Sequence, residues 1–160
     1  MHSEFQLALE ELICEYDAYR LLRSSVFANH GDALSEALGG MLRNPSTSTL
    51  ALEISFYCSP DRRKTLLSDF LRIASYQCRD LDLARTAILS LPRDWLIENI
   101  ESSAEDLISK GTYEEYIRLL ELFSLIDKGL TRRLAERAAR QEDVHIREVG
   151  RELLDQLENS

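Results

Sequence analysis

The sequence has few residues that interrupt a helix. Six glycines and three prolines among 160 residues fall well below the roughly 12% that the pair makes up on average. Both are costly inside helices, so their scarcity leaves long helical runs intact. Pro45, Pro60 and Pro92 all stand between apolar-periodic segments, where a proline can start or stop a helix. No segment sustains an apolar-polar alternation, which removes the main signal for a strand. No apolar run approaches the ~18 residues of a membrane span.

Chemistry-bearing patterns are absent as well. Cys14, Cys58 and Cys78 are odd in number and far apart, with no CxxC among them. They read as reduced, packed thiols of a cytoplasmic protein. The opening MHSEFQLALEELI is acidic and lacks the basic region of a secretory signal. A phosphate-cradling loop needs Gly-rich backbone and a following Lys-Ser/Thr, and the chain offers only Gly39-Gly40. His2, His30 and His145 are scattered, and only Glu148 lies at helical spacing from one of them. That pattern does not make a zinc site. Glu10-Glu11 and Glu114-Glu115 are adjacent pairs, which a helix points in different directions, so they are no acid/base couple. Cys58 falls at an apolar repeat position and reads as packing rather than as a nucleophile. No catalytic, cofactor-binding or metal-ligating residue is assigned, and the chain is expected not to be an enzyme.

What is present is apolar and acidic. Hydrophobic residues make up 44%, enough for a core, and a chain of this length buries roughly 70% of its unfolded surface. The net charge of −9 and pI near 4.9 repel a phosphate backbone, so no nucleic-acid partner is expected.

Helix signals run the length of the chain. Ser3–Gln6 reads as a capping box before a helix with Phe5, Leu9, Leu12 and Ile13 on one side, which either continues to about Phe27 or breaks near Glu15. Asp32 is a candidate cap after a loop at His30–Asp32. Asn44–Ser48 is turn chemistry. Pro60-Asp61 opens a helix with Leu66, Leu67, Phe70, Leu71, Ile73 and Ala74 on a wide apolar face. Asp80 caps a helix that Pro92 stops. A longer helix from Trp95 ends at Gly111, read as a C-terminal cap glycine. Thr112-Tyr113-Glu114-Glu115 is a second capping box, and Asp143 caps the last helix.

The starts at Thr47, Asp80, Thr112 and Asp143 are spaced by 33, 32 and 31 residues, and a further step back reaches Glu15. At offsets +3, +7 and +11 the five segments read Ala18, Leu22, Val26; Leu50, Ile54, Cys58; Leu83, Ala87, Leu91; Glu115, Leu119, Phe123; and Ile146, Gly150, Leu154. These offsets share a helix face, and only Glu115 and Gly150 are not apolar. The box explains Glu115. Gly150 points to a close helix approach. A helical hairpin of about 32 residues cannot bury its apolar face alone, so stacked copies are expected. The expectation is an all-α, right-handed α-solenoid of about five hairpins, with repeats near 1–30, 31–60, 61–92, 93–126 and 127–158.

The segment Asp143-Val144-His145-Ile146-Arg147-Glu148-Val149-Gly150 resembles the second helix of HEAT-type repeats, with an acidic cap, an apolar-Arg pair and a small residue. Asp80–Ala87 matches it with its Arg one position later. The Trp-x-x-Leu-Gly-x-x-Tyr pattern of tetratricopeptide repeats is absent. The C-terminal half is also similar to helical repeat regions attached to bacterial NACHT-type signalling NTPases. Some HEAT-like enzymes hold iron on His-Glu dipeptides, and this chain has none. The resemblance implies a non-catalytic protein–protein interaction module with a protein or peptide partner. The alternative is a regulatory or self-assembly component of a larger signalling complex, and the oligomeric state stays open.

Charge marks the candidate surfaces. Residues 94–127 hold nine acids against two bases, and residues 128–140 hold five bases against one acid. The basic segment either meets an acidic partner or is screened by the acidic helix of the preceding repeat. Arg85, Arg118 and Arg147 recur at similar offsets. They either bind a partner's carboxylates or form an internal ladder with Asp80, Glu115, Asp143 or the next repeat. Trp95 reads as an anchor between repeats. Tyr113 and Tyr116 are divided between packing and a contact surface.

Overall fold

In a computed structural model the chain is all-helical, 81% helix, with no strand among the described residues. Residues 2–29 and 31–159 are described, with side chains for 5–27 and 33–159. The expected cap groups of Ser3 and Asp32, and His2 and His30, lie outside the described side chains. The chain divides into two compact units, Met1–Ala37 and Leu38–Ser160.

The first unit holds α1 (His2–Asn29) and the start of α2 (Gly31–Leu42). α1 is one helix of 28 residues, so no helix start occurs at Glu15. The stretch expected to make a first hairpin is a single rod of about 42 Å at 1.5 Å per residue.

The second unit contains the end of α2, α3 (Ser48–Ser55), α4 (Pro60–Thr65), α5 (Leu67–Ala74), α6 (Leu81–Leu89), α7 (Arg93–Lys110), α8 (Tyr113–Ile126), α9 (Lys128–Ala138) and α10 (Val144–Glu158). Each helix packs mainly on those one to three places along the chain: α3 on α6, α5 on α6, α7 and α8, α8 on α9 and α10, and α9 on α10. α5 is central. Leu67, Phe70, Leu71, Ile73 and Ala74 are all buried, as their 3- and 4-residue spacing requires of one helix face. The helix expected from Pro60 onward is interrupted at Leu66, where the backbone turns to φ −97°, ψ 1°. Ser59 caps its start by accepting from Arg62 N–H, with Pro60 in the first turn, where its missing N–H costs nothing.

Local signals were met unevenly. Thr112 and Glu115 form the expected reciprocal capping box, with Thr112 N–H donating to Glu115 Oε2 at 2.7 Å. Asp143 accepts from His145 and Ile146 N–H at the start of α10. Thr47 and Asp80 precede their helices but make no side-chain cap bond. Thr47 Oγ1 donates instead to Met41 O, and the Asp80 carboxylate is engaged elsewhere. Asp127, which no repeat pattern singled out, caps α9 through Gly129 and Leu130 N–H. Gly111 ends α7 in extended backbone at φ −70°, not in the left-handed conformation of a C-terminal cap glycine. Its small size is still required, because a Cβ there would collide with Leu107 O.

Two expected core positions behave differently. Gly150 does mark a close approach: a Cβ on it would lie 2.7 Å from Ala135 O and 2.8 Å from Ala138 Cβ, so α10 rests directly on α9. Leu50, at offset +3, is 51% exposed. In α3 the buried face is Ser48, Ala51, Leu52 and Ser55, one residue away from the expected stripe. Offsets +4 and +8 are what α3, α6 and α8 share: Ala51 and Ser55, Ala84 and Ile88, Tyr116 and Leu120 are all buried.

Candidate functional site

The three arginines singled out by spacing all bond within the chain. Arg85 Nη2 donates to Glu121 Oε2 at 2.6 Å and to Arg118 O at 3.3 Å. Arg118 Nη1 donates to both oxygens of Glu121, at 3.1 and 3.0 Å. Glu121 is thus clamped by two guanidiniums from successive second helices. Burial opposes its charge, yet the bonds from Arg85 and Arg118 carry its pKa below the ordinary carboxylate value. Arg147 Nη1 donates to Gln141 O and Glu142 O, closing the loop between α9 and α10. No pair forms with Asp80, Glu115 or Asp143; the link for Arg85 runs from α6 to Glu121 of α8.

Similar links recur at separations of 30 to 33 residues. Asp80 accepts from Ser48 Oγ at 2.5 Å, 32 residues away, and from Thr49 Oγ1 at 2.8 Å. Burial resists its ionisation, but these two bonds and the neighbouring Arg79 lower its pKa. Arg133 grips Glu101 through Nε and Nη2, 32 residues back. Arg137 grips Glu105 through both terminal nitrogens at 2.6 Å, again 32 residues back. Arg93 donates to Ile126 O across 33 residues, and Arg72 to Leu42 O across 30. The acidic α7 thus partly screens the basic α9, while Lys128, Arg132 and Arg140 stay exposed.

The aromatic candidates divide. Tyr116 is core, 2% exposed, with its hydroxyl accepting from Gln141 Nε2; burial raises its pKa. Tyr113 is 43% exposed and meets His145 edge-on at 5.9 Å. Trp95 is half-buried, with Lys64 Nζ of the preceding hairpin 5.3 Å from its ring centre. Cys58 is buried, and burial pushes its thiol up against the opposing charges of Arg62 and Arg63.

Two of the open clefts in this unit flank α3 and α8. One, of about 400 Å³, is lined by Arg43, Arg72, Tyr76, Cys78 and Arg79. Its guanidiniums are engaged with Asp69, Leu42 O and Thr49 respectively. The other, of about 230 Å³, runs along α8 and α10 between Ile117, Leu120, Val149 and Leu153. Among the described residues no three His, Cys, Asp or Glu side chains are grouped to hold a metal ion, and no helix is long and apolar enough to cross a membrane.

The exposed apolar surface lies on α1, where the sequence places Phe5, Leu9, Leu12 and Ile13 on one side of a helix. Phe5, Leu7, Leu9, Leu12, Ile13, Tyr16, Tyr19, Leu21 and Leu22 are all 42% exposed or more. Among the described residues none before Leu38 belongs to the buried core. A helix with apolar residues on several sides requires cover on those sides. Comparison with protein-family models, with curated proteins and with solved structures gave no match to this chain.

Proposed function

We infer that this is a non-catalytic protein–protein interaction module, in which a HEAT-like stack of helical hairpins carries an exposed docking helix. The observation that carries the reading is the nine exposed large apolar side chains on α1, a concentration that marks interaction surfaces. The stack supports the reading as a scaffold. Its order of helix contacts is local, and its polar links recur near 32 residues, as solenoid repeats do. The partner is a protein or peptide, and the setting is cytoplasmic. Arg85, Arg118 and Arg147 act in this reading as internal braces, with Tyr113 the member of the original candidates left at the surface.

Affinity capture from the native cell extract tests this. Leu12→Glu and Tyr16→Glu should abolish capture of any partner, while Arg118→Gln should leave it unchanged. Partners retained by both α1 variants and lost with Arg118→Gln would move the docking surface to the second helices and overturn the reading. The alternative of a self-assembly component is favoured by one specific observation, the regular spacing of the exposed residues of α1.

A further inference from the structure

Along α1 the residues Phe5, Leu9, Leu12, Tyr16 and Tyr19 follow one another at steps of 4, 3, 4 and 3, and the series continues through Arg23 to Val26. That 3.5-residue average is the repeat of a left-handed coiled coil, with Leu9, Tyr16 and Arg23 at one seam position and Phe5, Leu12, Tyr19 and Val26 at the other. The first five are 68%, 42%, 62%, 59% and 48% exposed. The opposite line, Leu7, Glu11, Cys14, Ala18, Leu21 and Ser25, is broken by a charge and small residues, so it makes the poorer seam.

Resting on the interaction-module reading, we propose that the occupant of this seam is α1 of a second copy, giving a parallel, in-register two-stranded coiled coil. Area supports it. At roughly 200 Å² per large side chain, the five seam residues with flanking Ile13 and Leu22 expose about 800 Å² per copy. Two copies therefore bring about 1,600 Å², above the roughly 1,000 Å² that a specific interface must clear.

Charge selects the orientation. Glu15 and Arg20 flank the seam on opposite sides. In a parallel pair each Glu15 faces Arg20 of the other copy, so the bridge forms twice. The antiparallel register that keeps the whole seam would place Leu12 opposite Tyr16 and the two Glu15 side chains side by side, which repel. Arg23 is the one charged seam position. Its guanidinium lies 6.0 Å from the Tyr19 ring centre, and a single such residue restricts register and strand number.

Sedimentation equilibrium of the full chain should give a mass twice 18.4 kDa at roughly 100 μM, with Leu12→Glu or Tyr16→Glu raising the dissociation constant at least about 100-fold. Leu7→Glu, off the seam, should change it less than about 3-fold. In a Cys14→Ser, Cys78→Ser background, Leu12→Cys should form a disulfide-linked dimer under mild oxidation, because equivalent seam residues meet only in the parallel register. If Leu12→Glu fails to fold, the Leu12→Cys cross-link and Leu12→Ala decide. A monomer at that concentration, a dimer unaffected by the seam variants, or a dimer without the cross-link overturns the proposal. A monomer that still loses a captured partner on Leu12→Glu overturns only the second copy as occupant, and the interaction-module reading stands.

Discussion

Of the sixteen large apolar side chains that stand exposed among the described residues, nine belong to α1 and seven are scattered over α3 to α10 and their turns. The two regions use the same residue types. In the second unit Phe70, Leu71, Leu119 and Phe123 are fully buried, because neighbouring helices of that unit pack over them. In α1 Phe5, Leu12 and Tyr16 have no such neighbour within their own unit. Burial of a large side chain stabilises by about 1.5–3 kcal/mol relative to exposure. That free energy is realised within the chain for the stack and is still open in α1.

The comparison predicts opposite responses to the same change. Phe70→Ala should cost about 3–5 kcal/mol of unfolding free energy, through lost transfer and an uncollapsed cavity. Phe5→Ala, measured at a protein concentration low enough to dissociate any oligomer, should stay within about 0.5 kcal/mol. Urea denaturation of both variants measures this, and a comparable loss at Phe5 would mean that α1 is covered by its own chain.

Next in size is Gly150→Ala. Alanine is about 1 kcal/mol better than glycine in a helix, so an open site would gain. Here the added Cβ meets backbone at Ala135 O and side chain at Ala138, both under 3.0 Å, and neither is the far end of a flexible group. Overpacking should win, with a net loss of about 1–3 kcal/mol. A gain in the melting transition would show that α9 and α10 can part freely.

The helix order of the second unit was partly legible in the sequence, because its helix starts and several of its polar links share one spacing. A period near 32 residues placed four helix starts, and the same period separates Ser48 from Asp80, Glu101 from Arg133 and Glu105 from Arg137. Gly150 and the box at Thr112–Glu115 were legible because each has a single local cause. The misreadings also have physical reasons. A capping carboxylate and a bridging carboxylate are the same residue type, so Asp80 read as a cap although its oxygens are taken by Ser48 and Thr49. Leu50 read as core because a one-residue rotation of a short helix exposes it without altering the period. In α1 the sequence shows the face of Phe5, Leu9, Leu12 and Ile13 as well as the register of Ala18, Leu22 and Val26, but spacing marks an apolar face without saying whether anything in the chain covers it.

Acid should act on the stack. Asp80 and Glu121 are buried or clamped with pKa values below the ordinary one, as is exposed Glu105, through its bonds to Arg137. A carboxylate whose folded pKa is depressed contributes stability above its unfolded pKa near 4, and that contribution is lost as pH falls through the folded value. The melting temperature should therefore be level near neutrality and fall below about pH 4. Asp80→Asn should flatten this fall and lower stability at pH 7 by about 1–3 kcal/mol, since the buried Ser48 hydroxyl loses its charged acceptor. An unchanged pH profile in Asp80→Asn would remove Asp80 as a link between hairpins.

The smallest effect separates two kinds of link within the ladder. Arg133 and Glu101 have side chains 53% and 41% exposed, so water screens their attraction despite the bidentate geometry. A double-mutant cycle with Arg133→Gln and Glu101→Gln should give about 0.2–1 kcal/mol, falling further at 1 M salt, where the screening length is about 3 Å. Arg85 is only 16% exposed and shares Glu121 with Arg118. Its cycle should be larger and less sensitive to salt, because desolvated, hydrogen-bonded charges are screened less. Equal salt dependence for both cycles would mean that the Glu121 clamp opens to solvent and does not hold α6 to α8 as a desolvated link.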